Sequence, residues 1–284
     1  MTEPNAPSLP DLIEQITTWG VGMPVRAMER VLAMRETAAS DLVEALAGGH
    51  DSESRDLLWL VVLLGELRHP AGIEPLFDQM RRNDLDVLAL AAAEALAKIG
   101  PPAVEPLREV TVAPDPLLRL YAYASLGWIH DDRTYAILVE ALGRDHELGD
   151  VLAMALGDQG RPEAIPLLYR VYQTCKPWQR IEFEDVIREL HWGQRPAPHW
   201  TRDWRLRYRR VPGWGSFEPG WVGVSALVRR NVERMAERVV VPLRPLEEIV
   251  KDRPEPEQPS ETCEECGAAV ENPTGLAVCP ETAV

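Results

Sequence analysis

Apolar residues along the first two thirds of the chain recur in blocks with a period near 30 residues. Four segments align with one another: "LLGELRHPAGIEPL", "ALAKIGPPAVEPL", "SLGWIHDDRTYAIL" and "ALGDQGRPEAIPLL". Their aligned leucines are Leu64, Leu96, Leu126 and Leu156, with spacings of 32, 30 and 30 residues. A weaker copy contains Leu32, and a sixth is indicated near Ile187. Such a period is typical of a solenoid, in which each unit buries its apolar face against its neighbours.

Each unit is predicted to form two helices. In the third strong copy, Asp115 suits the N-cap, Pro116 the first helical position, and Gly127 the end of the first helix. Apolar residues between Leu117 and Leu126 follow the period of an α-helix with one buried face. The second helices are expected to begin at Pro70, Pro101, Asp132 and Pro162. The predicted fold class is therefore all-α, an α-solenoid of stacked helix pairs.

Two of the aligned segments, "ALAKIGPPAVEPL" and "ALGDQGRPEAIPLL", have a first helix ending in A-L-x-x-I-G or A-L-G, then a turn and a Pro-started helix. In this pattern the chain resembles the HEAT-repeat family over residues 24–190, specifically the short bacterial HEAT-like repeats of the phycobilisome-lyase type. The resemblance implies a HEAT-like α-solenoid whose second helices line the concave side. The resemblance is specific for the fold and nearly silent on function, because the family includes scaffolds, lyase subunits and nucleic-acid enzymes. The leading hypothesis is a non-enzymatic scaffold or adaptor, and the alternatives are a phycobilin-lyase-like enzyme subunit and a HEAT-like nucleic-acid-binding protein.

Composition divides the chain into six parts. They are a lead-in at 1–23, the repeats at 24–190, a Trp/Arg-rich irregular extension at 191–221, an amphipathic helix with the segment after it at 222–250, a Pro/Glu-rich linker at 251–262, and a cysteine-containing tail at 263–284. The helix "VGVSALVRRNVERMAER" either docks on the repeats or recruits another helix, and an isolated helix of this length favours docking. The linker is expected to be extended, so that the tail moves separately.

The net charge of −15 is unevenly distributed. Residues 1–190 contain 17 basic and 31 acidic side chains, whereas residues 191–240 contain ten arginines and four acidic residues. Such a body repels a phosphate backbone, so nucleic acid is not the expected partner. The carboxylates expected on the second helices are Glu74, Asp78, Glu105, Glu109, Glu140, Asp145 and Glu163. They predict either an acidic groove that binds a basic segment of a protein partner, or an ordinary solvated surface.

The extension at 191–221 combines five of the nine tryptophans with six arginines. The candidates for partner binding are Trp192, Trp200, Trp204, Arg205, Arg207 and Trp214. Three interpretations follow from this composition. The aromatic residues seal the end of the last repeat, because solenoid ends require caps, or they form a partner-binding hot spot, or they stack on nucleic-acid bases. The arginines are equally suited to an acidic groove of their own chain.

The tail contains Cys263 and Cys266 in a C-x2-C-G arrangement, followed by Cys279. This spacing resembles a zinc ribbon, because a tight turn presents two thiolates to one ion. Thr282 stands where the fourth cysteine of a ribbon is expected. Two interpretations stay open: zinc held by three thiolates and a borrowed fourth ligand, or a tail that binds no metal.

The sequence contains no motif that indicates catalysis: no phosphate-binding glycine loop, no H-E-x-x-H and no G-x-S-x-G. His69 and His130 are expected to fill inter-helix turns, and Cys175 to be a half-buried apolar residue. The longest apolar run, residues 57–65, is far shorter than the ~20 residues that a membrane-spanning helix requires. The N-terminus shows no secretion signal, so the expected compartment is the cytoplasm.

Overall fold

The computed structural model describes residues 7–18, 24–48, 54–82, 87–193, 241–251 and 253. The α-helices are α1 (Leu9–Thr17), α2 (Val25–Met34), α3 (Glu36–Gly48), α4 (Ser54–Leu67), α5 (Ile73–Arg82), α6 (Val87–Ile99), α7 (Val104–Val110), α8 (Pro116–Trp128), α9 (Asp132–Arg144), α10 (Gly149–Asp158), α11 (Ile165–Tyr172), α12 (Arg180–Trp192) and α13 (Leu246–Ile249). Across these described ranges every regular element is helical, which confirms the all-α prediction. None of the helices described has the length and apolar character needed to cross a membrane.

The helices stack in two rows. Helices α4, α6, α8, α10 and α12, the first helices, pack in order, each against the next. Helices α5, α7, α9 and α11, the second helices, each pack on the first helix that follows. The aligned leucines Leu64, Leu96, Leu126 and Leu156 are all 0% exposed, as is Ile187 in α12. The repeat period therefore places these residues in one continuous core, and the predicted α-solenoid is confirmed.

At the N-terminal end, α1 packs on α2 and α4, and α3 packs on α4. Leu32 lies on α2, where it is half-buried and packs against the core. The weaker sequence copy therefore corresponds to α2 and α3, which cover the start of the stack.

Local sequence determines where the helices begin. The Asp115 side chain accepts a hydrogen bond from the backbone N–H of Leu117 and caps α8, as predicted. Asp131 does the same for α9 through the N–H of Arg133. The prolines expected to start second helices instead begin short 3₁₀ turns, at Pro70–Gly72, Pro101–Ala103 and Pro162–Ala164. Each turn leads directly into its helix, because proline fixes φ at a helical value and lacks the N–H that a first turn leaves unpaired.

Two glycines set the distance between neighbouring first helices. A Cβ atom added at Gly127 would lie 2.8 Å from the Cα of Ala155, so α8 and α10 approach closely here. Gly65 has the same relation to the Cα of Ala95, again at 2.8 Å, between α4 and α6. Each glycine follows an aligned leucine in the repeat. A Leu-Gly pair in one repeat and an Ala-Leu pair in the next therefore permit the close approach of α4 to α6 and of α8 to α10.

Gly127→Ala is expected to lower the free energy of unfolding by about 1–2 kcal/mol. The added methyl group would overlap backbone atoms of α10, and overpacking of this kind costs about 1–3 kcal/mol, while alanine regains up to about 1 kcal/mol of helix propensity. Urea denaturation followed by circular dichroism measures the change. Gly143→Ala is the matched control, because Gly143 lies in α9 with nothing within 4 Å of an added Cβ. The control should gain stability, and a gain at Gly127 as well would contradict the close approach.

Candidate protein-interaction surfaces

The carboxylates predicted to bind a partner lie on two successive second helices. Glu74 and Asp78 are on α5, and Glu105 and Glu109 are on α7. All four side chains are exposed. The helix propensity and the apolar stripes of these segments turn the acidic positions outward, since Leu76 and Leu107 on the same helices are 0% exposed. The residues are thus placed on the solvent side of the second helices.

Arginines of the same chain lie among these carboxylates. Arg81 contacts Glu74 at 3.1 Å and Asp78 at 2.9 Å. Glu105 lies 3.8 Å from Arg108 and 3.6 Å from Arg133. The second-helix surface therefore carries arginines among its carboxylates, and binding of a basic segment there stays a prediction. Exposed pairs of this type contribute only about 0–1 kcal/mol each, so they form and break readily.

Asp145 does not belong to this surface. It was expected among the solvated carboxylates, but its side chain is only 8% exposed and its Oδ2 accepts a hydrogen bond from Nε of Arg119 at 2.7 Å. The hydroxyl of Tyr123 donates to the same oxygen at 3.0 Å. Burial and the negative charge of Asp145 raise the pKa of Tyr123 to about 12, so the phenol stays a donor. Asp145 is a buried link between α8 and the end of α9.

The C-terminal end of the stack is covered by a segment that is distant in sequence, residues 241–251. The carboxylate of Glu184 on α12 accepts from the Tyr172 hydroxyl at 2.7 Å and from the Arg244 guanidinium at 3.1 Å. The Tyr172 oxygen in turn accepts from the backbone N–H of Arg244 at 2.8 Å. Burial and the neighbouring Glu184 raise the pKa of Tyr172 to about 12, which keeps this hydroxyl protonated. The last repeat therefore holds Arg244 by both its main chain and its side chain.

Trp192 lies at the last position of α12 and contacts the same segment. Its Nε1–H donates to the carbonyl of Val250 at 3.0 Å. The guanidinium of Arg253 lies 5.3 Å from the centroid of the indole ring, a cation–π contact. Trp192 is 38% exposed, so one side of the ring still faces solvent. We define the end surface as Tyr169, Tyr172, Arg180, Glu184 and Trp192.

The other residues of the sequence-based site lie outside the described ranges. These are Trp200, Trp204, Arg205, Arg207 and Trp214 of the extension and Cys263, Cys266 and Cys279 of the tail. The helix predicted within 222–238 lies outside them as well. Zinc binding by the tail thus stays a prediction. Within the part of the chain that the structure describes, three or more His, Cys, Asp or Glu side chains do not come together as a metal site.

His69 and Cys175 lie in the local environments that the sequence predicts. Nδ1 of His69 accepts from the N–H of Ala71 and caps the 3₁₀ turn that follows, which confirms its predicted role. His130 is exposed beside the cap formed by Asp131. Cys175 is half-buried, also as predicted, and burial raises the pKa of its thiol to about 11. The thiolate form is disfavoured at neutral pH, so Cys175 is not an activated nucleophile.

Sequence reasoning missed residues 241–251 as part of the solenoid. Arg244 lies 60 residues from Glu184 and 72 from the Tyr172 hydroxyl that it contacts. The available signal was the "VPLRPLEEIV" pattern itself, in which two prolines favour an extended chain and the following aliphatic residues recur at helical spacing. That pattern indicates an ordered segment but not its partner.

Comparison with known proteins supports one assignment. No curated protein matches the chain. Residues 73–151 match the family model described as HEAT repeats. The matched range runs from α5 to the start of α10 and so covers the central stacked pairs. Residues 73–151 are therefore similar to HEAT repeats, in agreement with the stacked helix pairs of this region.

Proposed function

We propose that the chain is a non-enzymatic HEAT-repeat scaffold that binds a protein partner through a basic segment of that partner. HEAT repeats commonly serve as protein-interaction scaffolds, and the match at residues 73–151 supports that general role. The observation that carries the proposal is the row of exposed carboxylates on α5 and α7: Glu74, Asp78, Glu105 and Glu109.

The charge of the chain favours a basic partner both at long range and at the contact surface. Over longer distances, the net charge of −15 attracts basic partners and accelerates their association. At the surface, the pairs that Arg81 and Arg108 make with these carboxylates are exposed and weak. A partner's lysines and arginines therefore exchange with the chain's own arginines at little cost. Binding of this kind weakens steeply as salt is added.

The double variant Glu105→Lys/Glu109→Lys is expected to lose the partner. Reversing both charges removes the attraction on α7 and adds repulsion against a basic segment. The measurement is affinity capture from an extract of cells that express the chain, with quantitative mass spectrometry. Glu14→Lys, an exposed position on α1, is the control with the same type of charge change. The proposal predicts a protein kept by the wild type and the control and lost by the double variant; equal recovery by all three would contradict it.

The two alternatives implied by the resemblance are weaker on present observations. Nucleic-acid binding is opposed by the acidic balance of residues 1–190. The phycobilin-lyase alternative rests only on the similarity of the repeats, which indicates a fold and not a functional site. We therefore retain the scaffold as the proposed function.

A further inference from the structure

We propose that the end surface is a binding site for an arginine-bearing extended peptide, filled by the chain's own residues 241–250 until a partner segment of the same chemistry displaces them. This site lies on α11 and α12. It goes beyond the function proposed above, whose carboxylates lie on α5 and α7, and either site can fail without the other.

The chemistry of recognition centres on one arginine. Tyr172 donates to Oε1 of Glu184, which leaves Oε2 for the guanidinium of Arg244 at 3.1 Å. The backbone N–H of Arg244 donates to the Tyr172 oxygen at 2.8 Å. Glu184 has a side chain only 8% exposed, and Tyr172 is 0% exposed. Nη1 of Arg244 donates to Glu184 while its Nη2 donates to the carbonyl of Glu248 at 3.1 Å. Because a guanidinium has several donors in a fixed fork, this arrangement selects arginine at one position of a bound segment.

The remaining polar contacts hold the main chain of the segment. Arg180 donates to the carbonyl of Val241, and Trp192 donates to the carbonyl of Val250 at 3.0 Å. Tyr169 donates to the carbonyl of Arg244 at 3.4 Å. Any extended segment offers such carbonyls, so these contacts set the direction and length of the occupant rather than its sequence. Pro245, at φ −60° and ψ 148°, is in the polyproline conformation that proline-rich recognition segments adopt.

The bound segment is attached by few buried side chains. Ile249 is 0% exposed, whereas Leu243 is 54% exposed and Pro242, Glu247 and Glu248 face solvent. Ile249 belongs to the hydrophobic core of the stack, and Leu246 and Val250 pack against that core. A partner segment that displaces residues 241–250 must therefore supply an aliphatic side chain at the position of Ile249 as well as the arginine.

The test uses the full-length chain and a fluorescent synthetic peptide with the sequence of residues 239–253. Arg244→Ala/Ile249→Ser in the full-length chain detaches the chain's own segment, and fluorescence anisotropy measures binding of the peptide in trans. In the wild type the chain's own segment occupies the site, so the apparent affinity for the peptide is reduced to the fraction of molecules whose site is open. The peptide should therefore bind the opened variant at least about tenfold more tightly than the wild type. A second opened variant, Arg244→Ala alone, removes the guanidinium from Glu184 while it keeps Ile249 in the core, and it serves if the first does not fold.

Two altered peptides distinguish specific recognition of the segment from non-specific binding. A peptide with Arg244→Ala should bind the opened variant at least about tenfold more weakly, since it loses the guanidinium that Glu184 accepts. A peptide with Leu243→Ala should bind like the original, because Leu243 is mostly exposed. Absence of binding to a folded opened variant, or equal binding of the Arg244→Ala peptide, overturns the proposal and leaves residues 241–250 as a fixed end cap.

Discussion

Arg119→Ala is expected to lower the free energy of unfolding by about 3 kcal/mol, the largest single loss that we anticipate outside the apolar core. Arg119 and Asp145 are only 14% and 8% exposed in their side chains, and their Nε–Oδ2 distance is 2.7 Å. Removing one member of a buried ion pair leaves the other charge without its partner in a poorly solvated place, which costs about 3–5 kcal/mol. The lower end applies because Arg119 retains some exposure.

Urea denaturation at neutral pH measures this loss, with two accompanying variants. Arg81→Ala removes an exposed arginine that contacts Glu74 and Asp78, and it should cost no more than about 1 kcal/mol. Adding Asp145→Asn to Arg119→Ala should restore part of the stability, because no buried charge then remains. If Arg119→Ala and Arg81→Ala cost the same, the buried link between α8 and the end of α9 is not formed as described.

Gln159→Leu is expected to cost about 2 kcal/mol. Gln159 lies at the end of α10. Its side-chain nitrogen Nε2 lies 3.0 Å from the carbonyl oxygen of Leu126, 2.9 Å from that of Gly127 and 3.0 Å from that of Ile129. These carbonyls lie at the C-terminal end of α8. That of Leu126 also accepts from the backbone N–H of Ile129, and that of Ile129 also accepts from the Thr134 hydroxyl. The amide has two N–H donors, and each buried carbonyl that loses its donor costs about 1–3 kcal/mol.

The control for this prediction is Gln173→Leu. Gln173 follows α11 as Gln159 follows α10, but it is exposed. An exposed substitution of this kind should change stability by no more than about 0.5 kcal/mol. Thermal unfolding of the two variants compares them directly. A loss for Gln159→Leu that is no greater than the loss for Gln173→Leu would mean that α8 does not depend on the next repeat for its C-terminal cap.

The fold followed from the sequence because its determinants are local or periodic. The spacing of Leu64, Leu96, Leu126 and Leu156 shows which positions stack, and stacking buries all four. Capping by Asp115 and His69 acts within three residues, so it was visible in the sequence as well. Repeats share one geometry, and a correct alignment therefore places many residues at once.

The sites were less predictable because they depend on contacts between distant residues. Asp145 looked like an ordinary helix-surface carboxylate until Arg119, 26 residues earlier, was found beside it. Arg244 and Glu184 are 60 residues apart, and the repeat period does not extend to residue 244. The mixed charge of the second helices was also hidden, because the pairing of Arg133 with Glu105 joins two different repeats. Such pairings require the three-dimensional structure.

The partner is proposed to contact the solenoid at the acidic row on α5 and α7, which consists of Glu74, Asp78, Glu105 and Glu109. Hydrogen–deuterium exchange, compared between the free chain and its complex with the captured protein, measures this location. Partner binding to the acidic row predicts slower exchange in α5 and α7, residues 73–82 and 104–110, with the protection lost as salt is raised. A complex that forms while exchange in both helices stays unchanged would contradict the proposed scaffold surface.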